Sequence, residues 1–154
     1  MSDLDPTSGP VRFFTADHRR CDEIWARVEA AADAADAGAL RTQFGAFEAA
    51  LRQHLEIEER VLFPAFEAAT GMRGGPTQVM RMEHTQMRSL LDRMAKAAAD
   101  GDADGVVDTG DTLLMLIQQH NLKEEGMLYP MCERALGGAA WQPIGAEIAG
   151  SFRA

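Results

Sequence analysis

Apolar side chains recur every three or four positions along most of this chain, the spacing that buries one face of a helix. A first helix, starting between Val11 and Asp17 and ending near Asp36 before Gly38, carries the stripe His18, Cys21, Trp25, Val28 and Ala32. A second, from about Ala39, aligns Phe44, Phe47, Leu51, His54, Leu55, Glu58 and Leu62. Pro64 lacks the amide an interior helical residue donates, so a kink or break is expected there, with helix resuming from Phe66 to Ala69. Residues 71–76 are the clearest loop. A third helix from about Thr77 to Ala99 turns Met80, His84, Met87, Leu91 and Met94 inward. After an acidic turn at residues 100–105, a fourth runs from about Val106 to Leu136 with a kink near Pro130. Its inward stripe reads Leu113, Leu116, Ile117, His120, Glu124 and Met127, and Gly110 weakens its first turns.

Four long helices joined by short turns predict an all-α fold, an up-down-up-down four-helix bundle over residues 11–136. Residues 1–10, with two prolines and a glycine, are expected to be a flexible arm. Residues 137–154 form a short C-terminal tail whose Trp141, Pro143, Ile144 and Ile148 are too apolar for free linker. That tail is expected to pack on the bundle or on a partner.

The polar residues that interrupt the apolar stripes occur twice. His54-Leu55-Glu56-Ile57-Glu58-Glu59, followed by Leu62, Phe63 and Pro64, returns 66 residues later as His120-Asn121-Leu122-Lys123-Glu124-Glu125, followed by Leu128, Tyr129 and Pro130. The same offset carries Asp17-His18 onto Glu83-His84 and makes the chain a twofold internal repeat of helix pairs. These positions use all four histidines. Residues four apart lie one above the other on a helix, so each His-x-x-x-Glu aims an imidazole and a carboxylate the same way. Folding back at Gly38 sets position 18 level with position 58, and folding back near Asp104 sets 84 level with 124. At about 1.5 Å per residue, each lone His and its Glu then stand about 30 Å from their turn.

Four imidazoles and two carboxylates facing a core are costly unless paired or metal-bound. The candidate ligands are therefore His18 and His54 on one ion and His84 and His120 on the other, with Glu58 and Glu124 bridging both. Nitrogen and oxygen donors without thiolate suit non-haem iron, with manganese or zinc as alternatives, and leave positions for an exogenous ligand. Glu59 and Glu125 lie about 100° round the helix from the ligands and read as surface acids or hydrogen-bond partners. Asp17 and Glu83 read as surface residues or as groups that orient their neighbours, the Met stripe as core filling, and Trp25 and Tyr129 as core or rim, with a radical role as the alternative for Tyr129. Neither pair has the Glu-x-x-His order of ferritin-like di-iron bundles.

Length and charge narrow the picture. A chain of 154 residues suits a single domain, and a formal charge of −9 disfavours nucleic acid. No apolar run approaches a membrane span, and the acidic start lacks the layout of a signal peptide, so a cytoplasmic location is expected. Cys21 and Cys132 read as free thiols, because helical rise separates them by roughly 20 Å along the bundle.

The order lone His, His-x-x-x-Glu, lone His, His-x-x-x-Glu, with Glu-Glu and a later Phe/Tyr-Pro, resembles the hemerythrin HHE cation-binding family over about residues 12–136. The resemblance implies a four-helix bundle around a bridged di-iron centre, two iron ions held by the six positions above. Oxygen-carrying members have a fifth His in a His-x-x-x-His pair on the third helix, whereas Met80 and Arg88 flank His84 here. Those carriers also end in His-x-x-x-x-Asp, where this chain offers Glu124 first and Glu125 second. The four-His, two-Glu set is closer to repair-of-iron-centres proteins and to the F-box-linked iron-sensing domain. The cysteine-bearing N-terminal domain common among the former has no counterpart in this sequence.

Three functional readings follow. The first is a di-iron protein that binds O2, NO or iron for sensing, buffering or protection against oxidative or nitrosative stress. The second is an enzyme or iron donor, for peroxide or NO reduction or iron-sulfur centre repair. The third is an interaction bundle whose metal is purely structural. The expected partner is O2, NO or peroxide as a small ligand, with no nucleic acid or membrane, and the chain is expected to be a monomer or homodimer.

Overall fold

Two aspartates, 66 residues apart, each start the return helix of a hairpin. The structure, a computed structural model, describes residues 5–153, with residues 1–4 of the expected arm outside it. Helix α1 (Pro10–Asp33) opens on a proline, whose missing amide costs nothing in a first turn. It stops where Ala35 enters the left-handed region at φ 54°, letting the Asp36 amide donate back to the Ala31 carbonyl at 3.1 Å. The Asp36 carboxylate then accepts from the Ala39 amide at 3.0 Å and caps α2 (Ala37–Ile57). The turn between α4 (Pro76–Ala99) and α5 (Ala103–Lys123) repeats this with Gly101 at φ 72°, Asp102 donating to Ala97, and Asp102 capping through Gly105. The first turn thus falls earlier than expected, and Gly38 lies inside α2.

The prolines do not break the second and fourth helices. A π-turn over Glu58–Leu62 joins α2 to α3 (Phe63–Thr70), and another over Glu124–Leu128 joins α5 to α6 (Tyr129–Leu136). The amides of Phe63 and Tyr129 donate to the carbonyls of Glu58 and Glu124, five residues back. Pro64 and Pro130 follow at once, in the first turns of α3 and α6, where no amide is required. The wider turn admits each proline ring and the helical path continues.

That extra residue changes which side chains face inward. In an unbroken helix Tyr129, nine positions after His120, would lie on the opposite face, whereas one inserted residue brings it within about 80°. Tyr129 and Leu128 are fully buried, and Met127, expected inward, is turned out and 46% exposed.

The long helices pack antiparallel in chain order, so the architecture is the all-α up-down-up-down bundle. Its interior is apolar at both ends. Toward the hairpin turns, Trp25, Phe44, Phe47, Leu51, Leu91 and Leu113 are among those that form one core. At the other end, Phe13, Phe14, Phe63, Phe66, Tyr129 and Leu136 belong to a second, which α7 (Trp141–Arg153) completes with Trp141 and Ile148. Fully burying a side chain such as Ile148 contributes roughly 2 kcal/mol toward docking this short helix. The Trp141 indole also donates to the Pro6 carbonyl at 2.7 Å. Residues 5–10 form a 3-10 turn (Pro6–Ser8) capped by Asp5 and the start of α1. None of the described helices is long and apolar enough to cross a membrane.

Candidate metal centre

Between the two apolar cores lies one polar layer. Helix α1 supplies Asp17 and His18, α2 supplies His54, and the first π-turn supplies Glu58 and Glu59. Helices α4 and α5 and the second π-turn supply their repeats, Glu83 with His84, His120, and Glu124 with Glu125. All six candidate ligands are buried, each at 5% exposure or less. They form two groups with potential ligand atoms within 4.8 Å of one another: His18, His54, Glu58 and Glu124, and then Glu58, His84, His120 and Glu124. Both carboxylates belong to both groups. Glu58 Oε1 lies 3.4 Å from His54 Nε2 and 3.2 Å from His84 Nε2, and Glu124 Oε1 lies 3.0 Å from both His18 and His120 Nε2. Because the real turn falls earlier, His18 is level with His54, their rings 4.6 Å apart.

Every imidazole is oriented from behind by a carboxylate at Nδ1. His54 pairs with Asp17 at 2.7 Å, His120 with Glu83 at 2.8 Å, His84 with Glu59 at 2.7 Å, and His18 with Glu125 at 2.8 Å. An Nδ1–H donated outward leaves the Nε2 lone pair aimed at the centre, the tautomer a metal ligand needs. The acid before each lone His thus serves the His of its hairpin partner, and the second Glu of each motif serves the lone His of the other repeat. Asp17 is entirely buried rather than on the surface, and Arg20 Nε donates to it at 2.7 Å. Lys123 holds Glu83, and Arg88 donates to Glu59 at 2.7 Å. Arg88, four residues after His84, thereby supports the carboxylate behind a candidate ligand.

The electrostatics describe a site organised for cations. Burial works against charging His54, yet the charge of Glu58 and the contact with Asp17 raise its pKa well above the usual value. His84, likewise buried, is raised to about 9 by Glu58 and Glu59, and His18 is raised by Glu124 and Glu125. Burial pushes Glu58 up, but His54 and His84 beside it hold it well below the normal carboxylate range. Asp17, Glu59 and Glu83 are lowered by their imidazole and cationic partners despite burial, while the hydrogen bond from His18 leads in lowering Glu125. Two oxygens remain unsatisfied: Glu58 Oε1 and Glu124 Oε2 are buried without a hydrogen bond. A bound cation would satisfy both, so the residues present fit a metal.

One functional group was not foreseen at the centre. The Tyr129 hydroxyl, read from sequence as core or rim, enters the His18–His54 group and donates to Glu58 Oε2 at 2.6 Å. Burial and the charges of Glu124 and Glu58 raise its pKa well above normal. Its repeat counterpart Phe63 stacks on His84, centroids 5.6 Å apart. The Phe-to-Tyr exchange between Leu62-Phe63-Pro64 and Leu128-Tyr129-Pro130 was the available signal, hidden by the helical wheel. Cys21 and Cys132 are free and lie in different cores, one on each side of the layer.

Residues 9–132 match the model of the hemerythrin HHE cation binding domain. None of the curated proteins and none of the solved structures compared with the chain matches it.

Proposed function

The chain belongs to the hemerythrin HHE cation-binding domain family, and on that premise we propose that it is a non-haem di-iron protein that binds O2, NO or peroxide. His18 and His54 would hold one ion and His84 and His120 the other, with Glu58 and Glu124 available to both. The observation that carries this reading is the pair of four-donor groups sharing both carboxylates. Two nitrogens and two oxygens per ion leave an octahedral metal about two further positions. Iron, rather than manganese or zinc, makes those positions useful, because it supplies a change of oxidation state and affinity for diatomic ligands. Sensing, buffering or protection against oxidative or nitrosative stress are the roles this chemistry serves.

The chain's own residues do the rest. Asp17, Glu59, Glu83 and Glu125 fix the imidazoles, and the apolar cores on either side keep bulk water from the layer. A hollow of about 10 Å3 touches His18, His54 and His120 on one side and Phe47, Leu51 and Ile117 on the other. That is barely the space one water molecule needs, so the hollow marks a packing gap beside the ligand layer. An open groove of about 530 Å3 between α1 and α5 reaches the edge of His18 and Glu125 from solvent.

The test is metal content per chain with optical spectra before and after O2 and NO. Two irons per chain and a spectral response are expected, with both lost in Glu58→Gln. Fewer than two irons in the native chain, or a di-iron form that ignores both gases, would overturn the proposal; the second outcome is what a purely structural metal predicts.

A further inference from the structure

The six candidate donors repeat between the two halves, but the aromatic residue that follows each bridging glutamate does not. Where the first half places Phe63 against His84, the second places the hydroxyl of Tyr129 among the donors of the His18–His54 group. Its oxygen lies 2.6 Å from Glu58 Oε2, 2.9 Å from Glu124 Oε1, 3.0 Å from His18 Nε2 and 3.4 Å from His54 Nε2. These are all four donors of that group, and Tyr129 is fully buried among them. Adjacent donors of an octahedral ion with bonds of about 2.1 Å stand about 3.0 Å apart. The phenolic oxygen therefore occupies a place next to all four donors, where a fifth ligand belongs.

Once an ion is bound, hydrogen bonding alone would no longer account for that position. A phenol has one proton to donate. Each imidazole already gives its Nδ1–H to a carboxylate, so with an ion at Nε2 neither His18 nor His54 has a proton for the phenol. The hydroxyl would then satisfy one carboxylate, while its own lone pairs would find no proton donor among the other three neighbours. Resting on the di-iron reading, we propose that Tyr129 is a seventh protein ligand, its phenolate oxygen bound to the ion of His18 and His54. On binding, the O–H bond breaks, a metal–oxygen bond forms, and the proton leaves to solvent. The two positions then differ: one ion has five protein donors and its neighbour beside Phe63 has four, so the latter keeps one more open position for an exogenous ligand.

Ferric phenolates absorb visible light by charge transfer, and resonance Raman excited in that band shows the ring modes of the bound phenolate. Tyr129 is the single tyrosine of the chain, so ring-deuterated tyrosine labels it alone. The ferric protein is expected to show phenolate ring modes that shift on labelling, and Tyr129→Phe to lose the band while still binding two irons. Ferric spectra without phenolate modes in the labelled native protein, or native and Tyr129→Phe spectra that superimpose, would refute Tyr129 ligation. Loss of iron from the native protein refutes both readings, whereas two irons without phenolate modes refutes this one only. The labelled native protein gives the answer even if Tyr129→Phe fails to fold.

Discussion

Asp17 and Glu83 perform the same task on opposite sides of the site under different burial, which makes them a matched test of what orients the ligands. Asp17→Asn keeps the shape and an acceptor for the Nδ1–H of His54, but removes the charge facing His54 and Arg20. Losing a carboxylate that orients a metal-bound imidazole typically costs about 10–100-fold in metal affinity, or about 1.4–2.8 kcal/mol. The Asp17 side chain is 1% exposed, so its charge is little screened and the upper half of that range is expected. The Glu83 side chain is 15% exposed and also held by Lys123, so Glu83→Gln should fall nearer 10-fold. Competition with a chromophoric chelator at neutral pH measures both, and circular dichroism confirms that each variant is folded. An Asp17→Asn affinity within about threefold of native would contradict the role assigned to this carboxylate. So would a larger loss in Glu83→Gln, which would show that burial does not set its strength.

Three further outcomes follow from the geometry. In the metal-free protein the pKa of His84 is raised from 6.5 to about 9, so its stabilising charge is fully present below about 6.5 and lost as pH rises through about 9, while that of Glu58 is lost as pH falls below about 4.5. The melting temperature of metal-free protein should therefore fall from about pH 6.5 to 9 as metal affinity rises, and a flat profile there would contradict this. Gly110→Ala would place a Cβ 2.1 Å from Trp25 Cη2, and overpacking of about 1–3 kcal/mol should outweigh the roughly 1 kcal/mol helix preference of Ala. Urea unfolding should show a net loss, and a more stable variant would refute the packing argument. Ala35→Gly should stabilise by about 0.5–1 kcal/mol, because Ala35 holds φ 54° where its repeat counterpart Gly101 holds 72°; a lower urea midpoint would refute it.

The gap between reading the chain and seeing it folded has a consistent cause. The stripes of α1 and α4 stand as expected, with His18, Cys21, Trp25 and Val28 buried on one and Met80, His84, Met87, Leu91 and Met94 on the other. Both helices are regular, so counting about 100° per residue works along their length. The same counting fails beyond Glu58 and Glu124, where the π-turns insert a residue: Met127 turns out and Tyr129 turns in. No periodicity signals such an insertion beforehand, since it is set by hydrogen bonds that the following prolines cannot make.

Contacts across helices were hidden for a different reason. Asp17 beside His18 looks like a surface acid by position, and only the approach of α2 buries it against His54. Glu59 and Glu125 find their imidazoles in the opposite repeat, and α7 closes over Phe13 and Val61 from 80 or more residues away in sequence. The order of residues along the chain was enough to specify helices, duplication and six candidate donors, because those depend on spacing within one regular element. Which carboxylate stands behind which imidazole, and that a phenol lies among the candidate donors on one side only, depended on how the helices pack and where their hydrogen bonding slips by one residue.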